Sequence, residues 1–253
     1  MTLRILETPG LLGRAAAEKT AAVLNEAIEK NGRARLLMST GASQFETIEH
    51  LRGQRVDWAK VELFHLDEYI GIDDSHPASF VKYLRERFVR NDIPLKHAYF
   101  LNGGGDPARV IAEMSAQIKK APVDAALIGI GENGHIAFND PPADFDTAEA
   151  FIIVKLDEAC KRQQVREGWY AKLSDVPKYA VTMTVSQIMD SRAIISAVPH
   201  SQKAEAVRNT LEGETSSRVP ASILKTHGNW SLYLDKNSAA LLNRNHKPAP
   251  VGV

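Results

Sequence analysis

Residues 124–142 read DAALIGIGENGHIAFNDPP. The opening run DAALIGIG is almost wholly apolar, as a strand buried on both faces of a parallel sheet requires. Gly129, Gly131 and Gly134 then meet the G-x-G-x-x-G spacing of dinucleotide-binding loops. That reading needs a helix directly after the third glycine, with its N-terminus on a pyrophosphate. HIAFNDPP follows instead, and Pro141-Pro142 leaves no room for a helix of useful length. No crossover helix separates this loop from Asp157, the acid that follows the next apolar run. A nicotinamide cofactor is therefore not expected. The glycines read as places where backbone N–H groups approach a small ligand.

Working outward, short apolar runs alternate with longer helical patterns. Strands are expected at 3–7, 34–40, 61–66, 97–101, 124–131, 151–156, 179–185, 193–198 and 230–234. Helical patterns cover 11–30, 76–89 and 107–120, with further stretches near 201–212 and 237–243. This alternation predicts an α/β fold with a mostly parallel central sheet covered on both faces. No repeat or linker divides the chain, so residues 1–243 read as a single domain and 244–253 as a loose C-terminal tail.

Composition narrows the function classes. Lys plus Arg equals Asp plus Glu at 31 each in 253 residues, so no broad field favours nucleic acid or an anionic membrane. Cys160 is the one cysteine; it excludes an intrachain disulfide and favours a reducing compartment. No base partner for a catalytic thiol is visible beside it. No apolar run approaches the ~20 residues of a membrane span. MTLRILETPG lacks the apolar core of a signal peptide. A cytoplasmic protein with neither nucleic acid nor membrane as partner is expected.

In open α/β sheets ligands sit beyond the carboxyl ends of the strands, and the polar residues gather there. After 124–131 come Glu132, Asn133, His135, Asn139 and Asp140. Asn139-Asp140 alone would read as a turn. His135 between Asn133 and Asp140 reads as chemistry, because a working imidazole needs a partner to fix its tautomer. No second His or Cys stands at a familiar ligand spacing, so no metal is expected. Asp67 and Glu68 end the strand at 61–66. A half-buried acid is costly unless used or paired, so one is a candidate general base and the other could cap a loop. Ser39-Thr40-Gly41-Ala42-Ser43 precedes a helix and suits an anion cradle of backbone N–H groups, or a plain helix cap. Lys203 falls in the first turn of a helix, where the macrodipole disfavours a cation and an anionic ligand would explain it.

At these residues the chain resembles a known family. LDEYIG, GIGENGHIAFNDP and SQKA together are similar to glucosamine-6-phosphate deaminases (isomerases), in the wider group that includes 6-phosphogluconolactonase. The resemblance runs from about residue 39 to about residue 235. Lactonases typically carry Arg after the Asp-Glu pair and Ala-Ser-Leu-Phe after Gly-His. Tyr69 and Ile136-Ala137-Phe138-Asn139 side with the deaminases.

The resemblance implies a Rossmann-like three-layer sandwich and conversion of glucosamine 6-phosphate and water to fructose 6-phosphate and ammonia, with no cofactor. His135 would open the sugar ring, Asn133 and Asp140 would orient it, and Asp67 would take the proton from carbon 2. Thr40, Gly41, Ala42, Ser43 and Lys203 would hold the phosphate, with Glu68 and Gly134 also at the substrate. Arg162 would stand for a phosphate-binding arginine that aligns near 162–164. Homo-oligomers are common in the family. Galactosamine-6-phosphate deamination and 6-phosphogluconolactone hydrolysis are the alternatives. A non-catalytic sugar-phosphate-sensing domain is more remote, since the first strand starts at Leu3 and leaves no room for a DNA-binding helix-turn-helix.

Many relatives have Asp at position 133 and Glu at 140. Asn133 cannot titrate, which argues against a proton relay through it, and Asp140 is one methylene shorter. Relatives often show Pro-Thr-Gly-Gly-Thr/Ser where this chain has Ser39-Thr40-Gly41-Ala42-Ser43. Allosteric relatives carry a basic pair just before the strand corresponding to 151–156; Ala150 and Ile152 stand near those places. The rate curve is accordingly expected to be unchanged by N-acetylglucosamine 6-phosphate. A sigmoidal curve relieved by that compound would show the reverse.

Overall fold

The computed structural model describes residues 1–90 and 92–243. The expected tail 244–253 lies outside the described residues. Ten strands run β1 (Thr2–Leu6), β2 (Ala34–Met38), β3 (Val61–His65), β4 (Asp67–Tyr69), β5 (His97–Tyr99), β6 (Ala125–Leu127), β7 (Phe151–Lys155), β8 (Tyr179–Met183), β9 (Ile194–Val198) and β10 (Trp230–Asp235). The α-helices are α1 (Pro9–Asn31), α2 (Phe45–Arg52), α3 (Phe80–Leu84), α4 (Pro107–Ile118), α5 (Glu158–Arg166), α6 (Val185–Met189) and α7 (Ala204–Glu212).

Seven strands form one sheet in the order β1-β10-β9-β6-β2-β3-β5. Every neighbouring pair in it is parallel. Side chains alternate across each strand, so one strand feeds two cores. Leu36 and Met38 of β2 pack with α1, α2 and α3 through Leu24, Leu51 and Leu84. Leu37, between them, packs with α4, α6 and α7 through Met114, Ile188 and Val207 on the other face. Helices therefore cover both faces, as the unbroken apolar strands require.

The second sheet departs from the expectation. β4, β8 and β7 pair antiparallel in a separate three-stranded sheet, so 151–156 and 179–185 do not extend the parallel one. Alternation identifies strands but not their partners, and nothing local distinguishes these two. The sheets meet where the chain leaves β3. Leu66 accepts a bond from Met183 N–H at 3.0 Å, and Asp67 begins β4 directly after. A third apolar cluster, including Tyr69, Phe80, Phe138 and Tyr170, lies against the small sheet.

Local chemistry sets the helix ends. Thr8 Oγ1 accepts from Leu11 N–H at 3.2 Å ahead of Pro9, and Gly32 closes α1 with φ of 70°. The pattern at 76–89 becomes helix only from Phe80, because Ser79 caps it by accepting from Lys82 N–H. Residues 236–241 form turns rather than the expected helix. Here Asp235, fully buried, accepts from Ser238 N–H at 2.6 Å and from His200 N–H at 3.0 Å, tying the end of β10 to the loop after β9. No helix among the described residues is long and apolar enough to cross a membrane.

His65, in β3 opposite Met38, is fully buried, and both ring nitrogens lack a hydrogen-bond partner among the described residues. Burial lowers its pKa to about 3. The unfolded chain therefore takes up a proton below about pH 6.5 that the folded chain refuses until about 3. Stability falls as pH drops through that window, by about 1.4 kcal/mol per unit for this group. His65→Leu is expected to raise the unfolding free energy near neutrality by about 1–2 kcal/mol. It should also flatten the acid slope; denaturant titrations at several pH values check both.

Candidate active site

A cleft opens beyond the carboxyl ends of β2, β3, β6 and β9. It is lined by Ser39–Ser43, Asp67, Gly129–Gly131, His135 and Lys203, which these strands or the loops after them carry. This is the place an open parallel sheet offers a ligand.

The three glycines have separate jobs. A Cβ on Gly129 would stand 3.2 Å from Gln44 Nε2, and Gly129 N–H donates to Ser39 Oγ at 3.2 Å. A Cβ on Gly131 would overlap the imidazole of His135 at three ring atoms. Gly134 has φ of 83°, a conformation that costs a side chain energy. The loop folds back through Gly131 N–H to His135 O at 2.9 Å and Ala221 N–H to Gly134 O at 2.8 Å. The spacing that resembles a dinucleotide fingerprint thus seats a histidine ring.

Behind that ring, His135 Nδ1 lies 3.0 Å from Asp140 Oδ1. Asn133 Nδ2 donates to the same oxygen at 3.0 Å, and Asn133 Oδ1 accepts from His135 N–H at 3.1 Å. Burial works to raise the Asp140 carboxyl, but the His135 imidazole and the Asn133 amide outweigh it and hold it below its usual value. Asn133, Asp140 and Gly134 support the histidine rather than line the cleft. Asn139 donates to Ile136 O and to Met183 O, both at 2.9 Å, pinning the loop to the small sheet.

Asp67 is 5% exposed at the cleft wall. Burial, reinforced by Glu68, raises its carboxyl well above the usual range. Glu68 does not join it in the cleft. Successive residues of β4 face opposite ways. Glu68 accepts from Tyr69 N–H at 2.9 Å, Ser79 Oγ at 2.8 Å and Val81 N–H at 3.0 Å, fastening the start of α3. The expectation that Glu68 touches substrate is corrected.

Across the cleft, Thr40 to Ser43 lead through a 3-10 turn (Ala42–Gln44) into α2. Gly41, at φ of 102°, needs its missing side chain, and its carbonyl accepts from Tyr83 Oη at 2.8 Å. Lys203 is 8% exposed; burial lowers its pKa, against the pull of the Glu167 and Glu132 carboxylates. Arg162 is exposed and absent from the cleft lining. The helical period of α5 turns Gln163, Gln164 and Glu167 to the cleft instead, and these the sequence reading missed. Two adjacent glutamines among the charged residues of α5 were the available signal.

Cys160 also gains neighbours invisible along the chain. Its Sγ and one ligand atom each of His135 and Asp140 lie within 4.8 Å of one another, a set able to gather round a soft cation. Burial pushes the thiol up, so binding there would first have to remove its proton.

Gly131→Ala is expected to leave the fold standing and displace the His135 ring. Turnover should fall by about a hundred- to ten-thousandfold. Inorganic phosphate binding should be unchanged. Histidine NMR shifts alongside steady-state rates check this; full activity would show that the ring tolerates the added methyl.

Residues 7–232 match the family described as glucosamine-6-phosphate isomerases/6-phosphogluconolactonase. A glucosamine-6-phosphate deaminase of Exiguobacterium sibiricum is 34% identical over 207 residues, 81% of this chain and 80% of that one. One from Streptococcus pneumoniae is 33% identical over 215 residues, 85% of this chain and 89% of its own. The solved structure of a monomeric glucosamine-6-phosphate deaminase superimposes with a TM-score of 0.88 at 29% identity, covering 96% of this chain and all 100% of that one. A putative 6-phosphogluconolactonase from Neisseria gonorrhoeae shares the fold, with a TM-score of 0.75 at 18% identity over 93% of this chain and 99% of its own. The chain belongs to the glucosamine-6-phosphate isomerase/6-phosphogluconolactonase family.

Proposed function

We propose that the chain converts glucosamine 6-phosphate and water to fructose 6-phosphate and ammonia. The observation that carries this reading is the placement of two proton-handling groups on one cleft: His135, held by Asp140, and Asp67, raised by burial. Lys203 and the segment Thr40–Ser43 supply a phosphate end to the same cleft. Phosphate held away from carbon 2 contributes positioning for the reacting carbons. The deaminase relatives of the family support the same substrate.

His135 passes a proton to the ring oxygen as the hemiacetal opens, and Asp140 holds the imidazole for it. Asp67 then removes the proton from carbon 2, and the electron pair moves to give an enolamine. Reprotonation at carbon 1 leaves an imine at carbon 2. Water adds there, the C–N bond breaks, and ammonia leaves the ketose. Every step moves protons, water or ammonia, so the chemistry asks for no redox partner. A raised carboxyl suits Asp67, because a base works best when its pKa approaches the working pH. The ammonium of the substrate, beside carbon 2, favours its ionised form on binding. Residues 1–243 act as one domain in this reading, and a reducing cytoplasm is its setting.

Ammonia release from glucosamine 6-phosphate by purified protein tests the reading. Asp67→Asn should lower it by about a hundred- to ten-thousandfold. Sugar-phosphate binding should be largely retained. Because Asp67 must be ionised, kcat/KM should fall toward acid with a midpoint above the ordinary carboxylate range. Glu68→Gln removes a like charge and should move that midpoint to lower pH. Undiminished turnover by Asp67→Asn would remove Asp67 from its role.

A further inference from the structure

The segment after β2 is tied at both ends and steered in the middle. Ser39 N–H donates to Leu127 O at 2.9 Å, and Gln44 Nε2 donates to Ala197 O at 3.2 Å. Between these ties the Gly41 carbonyl accepts from Tyr83 Oη at 2.8 Å and from Gln44 N–H at 3.1 Å. Gly41 and Ala42 line the cleft, whereas Tyr83 belongs to α3 and is not part of that lining. A trans peptide is planar, with its C=O and N–H pointing opposite ways. The carbonyl directed at Tyr83 therefore sends the Ala42 N–H away from α3. The phenol itself is well anchored. Tyr83 is 4% exposed; its ring stacks on Phe45 with centroids 5.8 Å apart and meets Trp169 edge-on at 6.3 Å. Its N–H donates to Ser79 O at 3.0 Å, so it stands one helical turn from the residues that Glu68 holds. Burial raises the phenol's pKa, so the hydroxyl keeps the proton it donates.

We propose that Tyr83 is a positioning residue for the anion end of the cleft: its hydroxyl holds the Gly41 carbonyl back, so that the Ala42 N–H faces the phosphate of the substrate. The proposal rests on the phosphate end of the reading above. Tyr83 touches no substrate atom and acts through Gly41. The need for it lies in that glycine. Gly41 takes φ of 102° because it has no side chain, and the same freedom lets its peptide turn back. A carbonyl swung into the cleft would set an acceptor oxygen against phosphate oxygens, which are themselves acceptors. A hydrogen bond from a ring already packed in place favours the useful orientation before the ligand arrives, so less ordering is left for binding. Glu68 gains a second consequence from this arrangement. By fastening the start of α3 it also fixes where the Tyr83 hydroxyl stands.

The test compares the unsubstituted protein with Tyr83→Phe, which keeps the ring on Phe45 and removes the hydroxyl alone. Calorimetry with inorganic phosphate reads the anion end without turnover, and steady-state ammonia release from glucosamine 6-phosphate reads the reaction. Tyr83→Phe should weaken inorganic phosphate about fivefold, the worth of one hydrogen bond. KM for glucosamine 6-phosphate should rise by the same factor with kcat unchanged, as loss of binding shared by ground and transition states requires. Thermal unfolding reads packing separately. A lowered unfolding midpoint with phosphate affinity and KM unchanged would show a structural role only and overturn the proposal. So would a fall in kcat with KM and phosphate affinity unchanged. No phosphate binding by the unsubstituted protein would overturn it together with the phosphate end of the cleft. The reaction is scored apart from the tyrosine. No ammonia from either protein, with phosphate affinity still lowered by Tyr83→Phe, sinks the reaction and keeps the role of Tyr83. Ammonia from both, with equal phosphate affinity and equal KM, sinks the role of Tyr83 alone.

Discussion

A side chain at position 131 would occupy the space of the His135 imidazole. That steric constraint organises the cleft. Because Gly131 is bare, the loop can double back, bond Gly131 N–H to His135 O, and lay the ring against its own backbone. The same loop, which leaves the parallel sheet at β6, then reaches two other parts of the molecule. Gly134 accepts from Ala221, Phe138 N–H donates to Thr182 Oγ1, and Asn139 bonds Met183. The parallel sheet, the small sheet and the segment before β10 are thus referenced to one histidine. A site held on this many elements keeps its geometry without relying on any single contact.

Electrostatics sorts the carboxylates that the fold gathers. Asp67 and Asp140 are both largely buried, yet they are driven in opposite directions. Burial raises the Asp67 carboxyl, and the like-charged Glu68 beside it adds to the shift. Asp140 has an imidazole and an amide against one oxygen, and its carboxyl is lowered. Two acids whose environments separate them in this way suit the proposed division between base and orienting group. Glu68 is buried too, but three hydrogen bonds turn it to holding the entry of α3. Glu167 belongs to a further group, fixed by side-chain donors and left facing the cleft.

The sequence alone determined the elements whose signal is local. Continuous apolar runs such as ARLLM marked strands buried on both faces, and the helical spacing over 11–30 marked the body of the long first helix, whose start the structure sets earlier at Pro9. His135 and Asp67 were legible because polar residues soon after apolar strands have few reasons to be there other than use, and Lys203 because a cation in the first turn of a helix opposes the macrodipole. Only the tertiary structure decided which strands pair, since β7 and β8 alternate like any others and their antiparallel sheet depends on where β3 ends. It also decided direction. Asp67 and Glu68 are adjacent and both acidic, and the pleat of β4 sends one to the cleft and the other away. Arg162 and Gln164 are two residues apart, and the turn of α5 exposes one and buries the other. Spacing along a chain states what chemistry is available; the direction of each side chain depends on contacts hundreds of ångströms of extended chain could not reveal.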